Sequence, residues 1–199
     1  MSTMGVFMEA PGLREELLSA AVKLFVKDGI ENVKTRQLTD FMGISRSHIY
    51  HYFSDWQQLC LEACSQHLEK EVDTFIQTAE NKDPLTKLLI FTDYYLPGHN
   101  DSSWYLYRAV NYLGIHNPAY DELSRKVAGL WLSEMQKILI EGVSLGVFHA
   151  ADCARTSRQL MAILNGYSDV LITNFEQGVT KTIDEDLKHF LNEFIVKAN

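Results

Sequence analysis

Apolar residues recur along this chain at spacings of three and four, with no sustained alternation of period two, so the pattern predicts helices throughout and no sheet. Leu17, Leu18, Ala21, Leu24 and Phe25 form the first stripe, which runs from Leu13 to a stop at Gly29. Glu15 and Glu16 in its first turn and Lys27 in its last suit the helix dipole. Thr35 is placed to cap a short second helix, with Leu38, Phe41 and Met42 as its apolar face. Gly43 ends it, since the residue past a helix end enters the left-handed region, which glycine does without a Cβ clash. Ser45 predicts the cap of a third helix, anchored by Ile49 and Phe53. Ser54 and Gln57 have capping-box spacing. They open a long helix from Asp55 through Leu59, Ala63, Leu68, Val72, Phe75 and Ile76 to about Ala79.

Further on, Asp83-Pro84 starts a helix through Leu85, Leu88, Leu89 and Phe91 that Pro97-Gly98 breaks. A polar loop, His99 to Ser103, leads to an aromatic-rich helix from Trp104 to His116. Asn117-Pro118 opens a long helix that stops around Gly146-Val147-Phe148. Asp152 caps the next, with Leu160, Ile163, Leu164, Tyr167, Val170, Leu171 and Phe175, ending at Gly178. Thr182 and Glu185 mark a capping box before the last, with Leu187, Phe190, Leu191, Phe194 and Ile195. The expected architecture is all-α: roughly nine helices, a three-helix head over residues 1–54 and a helical bundle over 55–199.

The chemistry of the third helix sets its function. Outside Ile49 and Phe53, its surface is Arg46, Ser47, His48, Tyr50, His51 and Tyr52, which is rich in donors and free of acids. Two short helices joined by a glycine turn, the second with such a face, read as a helix-turn-helix. The run GISRSHIYHYF, followed by SDWQQL, resembles the recognition-helix signature of the TetR (tetracycline-repressor) family of bacterial regulators, and the likeness extends upstream to Leu17. A second likeness, over Leu145 to Gly166, is to the branch of that family that includes the choline-responsive betaine regulators.

That resemblance implies a homodimeric transcription regulator, a repressor, that binds a palindromic double-stranded operator and is released by a small-molecule effector. It implies base reading by Arg46, Ser47, His48 and Tyr50, and phosphate contacts from Lys34, Thr35, Arg36, Ser45, His51 and Tyr52. It implies a dimer interface on the last two helices, where Leu160, Leu164, Tyr167, Leu171, Phe190 and Phe194 are candidates. It also implies an effector pocket in the bundle, for which Trp104, Tyr105, Arg108, Asn111, Tyr112, Trp131, Asn165 and Asp169 are the aromatic and polar candidates, though aromatics at helical spacing also serve as plain core.

Charge modifies this picture. The chain carries 18 Lys and Arg against 26 Asp and Glu, a net charge of −8, which excludes binding nucleic acid with the whole surface. Within residues 34–53, Lys34, Arg36 and Arg46 face only Asp40. The basic footprint is local. Residues 1–11 look like an arm without a basic residue, and Asp55 stands where many relatives carry a lysine. The alternative is a helical protein of this fold that has lost operator binding and acts through protein contacts.

Other classes find little support. There is no Gly-rich phosphate loop, nucleophile elbow or His-Glu-x-x-His pattern, so an enzyme is not expected. Cys60, Cys64, His67 and Glu71 share one helix face with metal-ligand spacing, but a single helix cannot close a tetrahedral site. They read as core cysteines beside a partly exposed histidine, and no metal or cofactor is expected. Three cysteines, no apolar run of roughly 18 residues and no basic, apolar leader point to the cytoplasm and away from a membrane.

Overall fold

The computed structural model describes residues 12–96, 102–173 and 176–196. Among these the chain forms nine α-helices and no strand. They are α1 (Leu13–Asp28), α2 (Thr35–Met42), α3 (Arg46–Tyr52), α4 (Trp56–Ala79), α5 (Pro84–Tyr95), α6 (Ser102–Gly114), α7 (Pro118–Ser144), α8 (Cys153–Thr173) and α9 (Gln177–Phe194). The expected arm over 1–11, the breaker Pro97-Gly98, most of the loop that follows it, and Phe175 lie outside the described residues.

The chain divides into two compact units between His67 and Leu68, inside α4. The first unit contains α1, α2, α3 and the opening part of α4. Leu17, Ala21, Leu38, Ile49, Leu59 and Cys64 are fully buried there, together with Phe25 and Phe53. The Arg14 guanidinium lies 5.2 Å from the centre of the Phe53 ring and pairs with Glu62. α2 ends as expected: Gly43 is left-handed at φ 67°, and the Ile44 amide donates to the Thr39 carbonyl at 3.1 Å.

Several local expectations are corrected. Lys34, not Thr35, holds the cap position of α2. Its amide donates to Gln37 Oε1 at 2.8 Å, while Thr35 is already helical. Ser45 does occupy the cap position of α3, but its hydroxyl bonds Ser47 Oγ and His48 Nδ1 rather than a backbone amide. Asp55, not Ser54, caps α4: its Oδ1 accepts the Gln58 amide at 2.7 Å, and the Ser54 amide donates to Gln58 Oε1 at 2.6 Å. Phe41 points to solvent, 57% exposed, because Leu38 and Thr39 take the inner face of α2. Ile76, Leu89 and Val170 also face outward at the edges of their stripes.

The second unit contains the rest of α4 and α5–α9. α7 packs against α5, α6 and α8, and α8 against α5 and α9. The expected caps form where an acceptor side chain precedes the helix. Asp83 Oδ1 accepts the Thr86 amide at 3.0 Å, Asn117 Oδ1 accepts the Ala119 amide at 3.1 Å, and Asp152 Oδ1 accepts the Arg155 amide at 2.9 Å. The Thr86 hydroxyl, and then its amide, hold the Asp83 carboxyl below the usual carboxylate range, and the Arg155 amide does the same for Asp152.

α7 ends in a Schellman motif. The Val147 amide donates to the Gly142 carbonyl at 2.8 Å and the Gly146 amide to Val143 at 3.1 Å, with Gly146 at φ 73°. This turn lays the Phe148 ring on the Cα of Gly142. An isolated antiparallel bridge joins Phe148 to Val196. The last two helices differ from expectation. α8 stops at Thr173, and Gly178 lies in the first turn of α9. Thr182 is mid-helix, its hydroxyl donating to the Gly178 carbonyl at 3.0 Å rather than capping.

Candidate functional site

The head presents the expected face. α3 is pinned by Ile49, which is wholly buried, and by Phe53, so its remaining residues turn outward. Arg46, Ser47, His48, Tyr50, His51 and Tyr52 are all exposed. Arg46 forms no hydrogen bond or ion pair with a described residue, which leaves its guanidinium fork available. Ser45 Oγ lies 2.6 Å from Ser47 Oγ and 2.8 Å from His48 Nδ1, which fixes the imidazole at the start of the helix. His51 and Tyr52 stand edge-to-face with centroids 5.0 Å apart, and the Tyr50 hydroxyl is 3.5 Å from Thr35 Oγ1.

The flanking cations are fewer than the sequence count suggests. Arg36 is paired with Asp40 at 3.5 Å across one helical turn, and Lys34 Nζ donates to the Glu31 carbonyl at 3.4 Å. Both contacts are exposed, so each is worth little and yields readily to a phosphate. An exposed, acid-free helix face of this size fits a major groove, where side chains distinguish base pairs.

The second unit holds a cavity of about 50 Å³ that is open on one side. That is room for about three to five waters, or a ligand of the order of half a dozen heavy atoms. Its aromatic walls are Tyr94 and Tyr95 from the end of α5, Trp104 and Tyr107 from α6, and Trp131 from α7. Leu68 and Glu71 of α4 and Ser103 complete the lining. The rings stand at right angles. Trp104 meets Tyr95 at 86° and 5.3 Å and Tyr107 at 88° and 5.5 Å, and Tyr95 meets Trp131 at 87° and 5.7 Å. Perpendicular rings form walls rather than a stacked slab.

Burial pushes the Tyr95 hydroxyl up and, less far, that of Tyr107, so both are neutral phenols. Tyr95 donates to Asn165 Oδ1 at 3.1 Å, which links this wall to α8.

Of the sequence candidates for this cavity, only Trp104 and Trp131 line it. Tyr105 and Tyr112 are exposed at 49% and 60%, since they lie on the opposite face of α6 from Trp104 and Tyr107. Arg108 and Asp169 pair with each other at 2.7 Å, half exposed. Asn111 accepts from Ser124 Oγ at 2.5 Å, so it and Asn165 stand behind the wall rather than in it. Tyr94, Tyr95 and Glu71 were not anticipated as lining. The Tyr94-Tyr95 doublet, with Tyr95 one turn after Phe91, was the available signal.

The interface candidates also divide. Leu160, Leu164 and Leu171 are at most 2% exposed within their own chain and have no surface to offer a partner. Tyr167 and Phe190 are half-buried, and Phe194 is 59% exposed with its ring 5.0 Å from that of Phe190. These three remain on the surface of α8 and α9.

Cys60 and Cys64 are buried, and desolvation pushes the Cys64 thiol up, which makes it unreactive. Among the described residues no three His, Cys, Asp or Glu side chains gather to hold a metal ion. No described helix is long and apolar enough to cross a membrane.

A glycine turn followed by an exposed, acid-free helix on a three-helix head has the arrangement of a helix-turn-helix. Residues 17–63 match the family profile of bacterial regulatory proteins of the TetR family. The whole chain superposes on solved regulators at low identity. A transcriptional regulator from Saccharomonospora viridis, in complex with choline, gives a TM-score of 0.83 at 21% identity, over 94% of this chain and 98% of that one. A TetR regulator from Haloarcula marismortui gives 0.81 at 18%, over 92% and 97%. One from Chloroflexus aurantiacus gives 0.75 at 16%, over 93% and 96%. No curated protein matches by sequence. Residues 17–63 thus match the profile of the TetR family, and the chain has the fold of these solved regulators.

Proposed function

We propose that this protein is a ligand-responsive transcription regulator, a repressor, that binds a palindromic operator as a homodimer. The observation that carries the reading is the exposed, acid-free face of α3, held from behind by Ile49 and Phe53, inside the matched segment 17–63. Arg46, Ser47, His48 and Tyr50 read base edges in the major groove. Lys34, Thr35, Arg36, Ser45, His51 and Tyr52 fix the register through phosphates. Two heads meet two half-sites about one helical turn apart. The pairing surface is on α8 and α9, around Tyr167, Phe190 and Phe194.

The effector occupies the aromatic cavity of the second unit. Perpendicular tryptophan and tyrosine faces suit a small ammonium-type ligand through cation–π attraction. Choline in the Saccharomonospora viridis regulator is a chemical precedent. Leu68 and Glu71 line the cavity from α4, and the same helix begins in the head unit, so a ligand that displaces them acts on an element both units share. Operator affinity then changes by the ligand's differential affinity for the two states.

Footprinting on the DNA upstream of its own gene tests the reading. The expected result is one protected palindrome with paired half-sites about 10 base pairs apart. Uniform or absent protection at saturating protein would overturn it.

A further inference from the structure

Among the described lining residues the cavity has one formal charge. Glu71, on the α4 wall, is the only charged residue among the described lining residues. It makes no hydrogen bond or ion pair with a described residue. Its neighbours in the cavity are no substitute. Tyr95 and Tyr107 are neutral, their protons held by burial. The Asp169 carboxylate, beyond the wall, is already paired with Arg108 at 2.7 Å. Elsewhere in the second unit comparable acids are matched: Glu141 by Lys87 and Glu69 by Lys126, each at 2.7 Å. A partly buried carboxylate without a counter-charge, set among aromatic faces, is an electrostatic deficit that a bound cation removes.

From this juxtaposition we infer that Glu71 is the specificity-determining residue of the cavity, admitting small organic cations and rejecting both their neutral isosteres and zwitterions that carry their own carboxylate. The aromatic walls alone cannot make the second distinction. A trimethylammonium head presents the same surface to Trp104 and Trp131 whether the molecule's far end is a hydroxyl or a carboxylate. The pocket is open on one side, but the two ends of so small a molecule are only a few bonds apart, so the far end stays within the field of Glu71. A hydroxyl there donates a hydrogen bond to the carboxylate, whereas a second carboxylate is repelled by it. The site therefore selects by net charge as well as by shape.

This inference rests on the reading that the cavity takes an effector, but its test does not involve DNA. Binding to the full-length protein is measured by titration calorimetry and tryptophan fluorescence with three probes. These are choline, glycine betaine and 3,3-dimethylbutan-1-ol, the last having choline's shape without its charge. The wild-type protein is expected to bind choline at least tenfold more tightly than either of the others. Glu71→Gln keeps the side chain's size and removes its charge. It is expected to weaken choline at least tenfold while changing the neutral analogue by less than about threefold. The melting temperature of the variant, unchanged, shows that it is folded.

Equal loss of choline and the neutral analogue would assign Glu71 a packing role and overturn the inference. So would wild-type affinity for choline in Glu71→Gln, or no binding of choline by the wild type. Charge-selective binding without any effect on operator affinity would leave the inference standing and contradict the proposed regulation.

Discussion

Replacing Arg46 and Tyr50 together by alanine is expected to lower affinity for the operator by at least about a hundredfold, since each good base contact is worth roughly 1–3 kcal/mol and a dimer makes it twice. Both side chains are exposed and neither supports the core, whose contribution from α3 is Ile49. The melting temperature and oligomeric state should therefore stay at the wild-type values. The single substitutions separate the roles. Arg46→Ala should relax selectivity at one position of each half-site, whereas Lys34→Ala should weaken all DNA sequences alike and flatten the salt dependence. Binding by fluorescence anisotropy, with thermal melts of each variant, checks these outcomes. Undiminished selectivity in Arg46→Ala/Tyr50→Ala would remove α3 from the interface.

Gly142→Ala is expected to destabilise the second unit although alanine is the better helix former by about 1 kcal/mol. A Cβ at this position would lie 2.0 Å from Phe148 Cδ2 and 2.3 Å from Cε2. The ring cannot slide away easily. Phe148 is 1% exposed, its amide donates to the Gly142 carbonyl at 3.0 Å, and the Schellman turn before it fixes its backbone. Overpacking of this kind costs about 1–3 kcal/mol, or about 2–4 °C in melting temperature for each kcal/mol in a chain of this length. Phe148→Ala leaves a cavity instead and should cost about 3–5 kcal/mol. Gly142→Ala combined with Phe148→Leu should be less damaging than the sum of the two single changes, because the narrower side chain relieves the clash. Thermal melts at fixed protomer concentration measure this, and strict additivity would contradict it.

The features that were legible in the sequence are those decided locally. Asp83-Pro84, Asn117-Pro118 and Asp152 predict helix starts correctly because a side-chain acceptor, joined in the first two by a proline, acts within one turn. Gly43 and Gly146 mark helix ends for the same reason. Where two adjacent residues can do one job, sequence cannot choose, and Asp55 takes the cap from Ser54. Gly178 looked like a stop, but the first turn of α9 accommodates it, and a Thr-x-x-Glu pattern inside that helix imitated a second start.

The cavity was half legible for a different reason. Helical spacing shows that Trp104, Tyr105, Tyr107 and Tyr112 share a helix, but not which side of it meets the other helices, and the structure places Tyr105 and Tyr112 outside. The same ambiguity hid the division between Leu160, Leu164 and Leu171, which are core, and Tyr167, Phe190 and Phe194, which remain on the surface. Glu71 was grouped with Cys60, Cys64 and His67 as a face of α4. Only the tertiary arrangement brings it to the same pocket as Trp104 and Trp131.

The central claim is that α3 recognises a specific DNA sequence with unusually little help from phosphate neutralisation. It is tested most directly by the salt dependence of anisotropy binding to the footprinted palindrome and to a scrambled duplex of equal length. With Lys34 and Arg36 as the cationic phosphate contacts of each head, a dimer neutralises about four phosphates, and log K should fall with log[salt] at a slope of about −4. The palindrome should be preferred at every salt concentration. Equal affinity for the two duplexes would contradict the account and leave a helical fold that acts through protein contacts, while selective binding with a slope near −10 would require phosphate cations beyond Lys34 and Arg36.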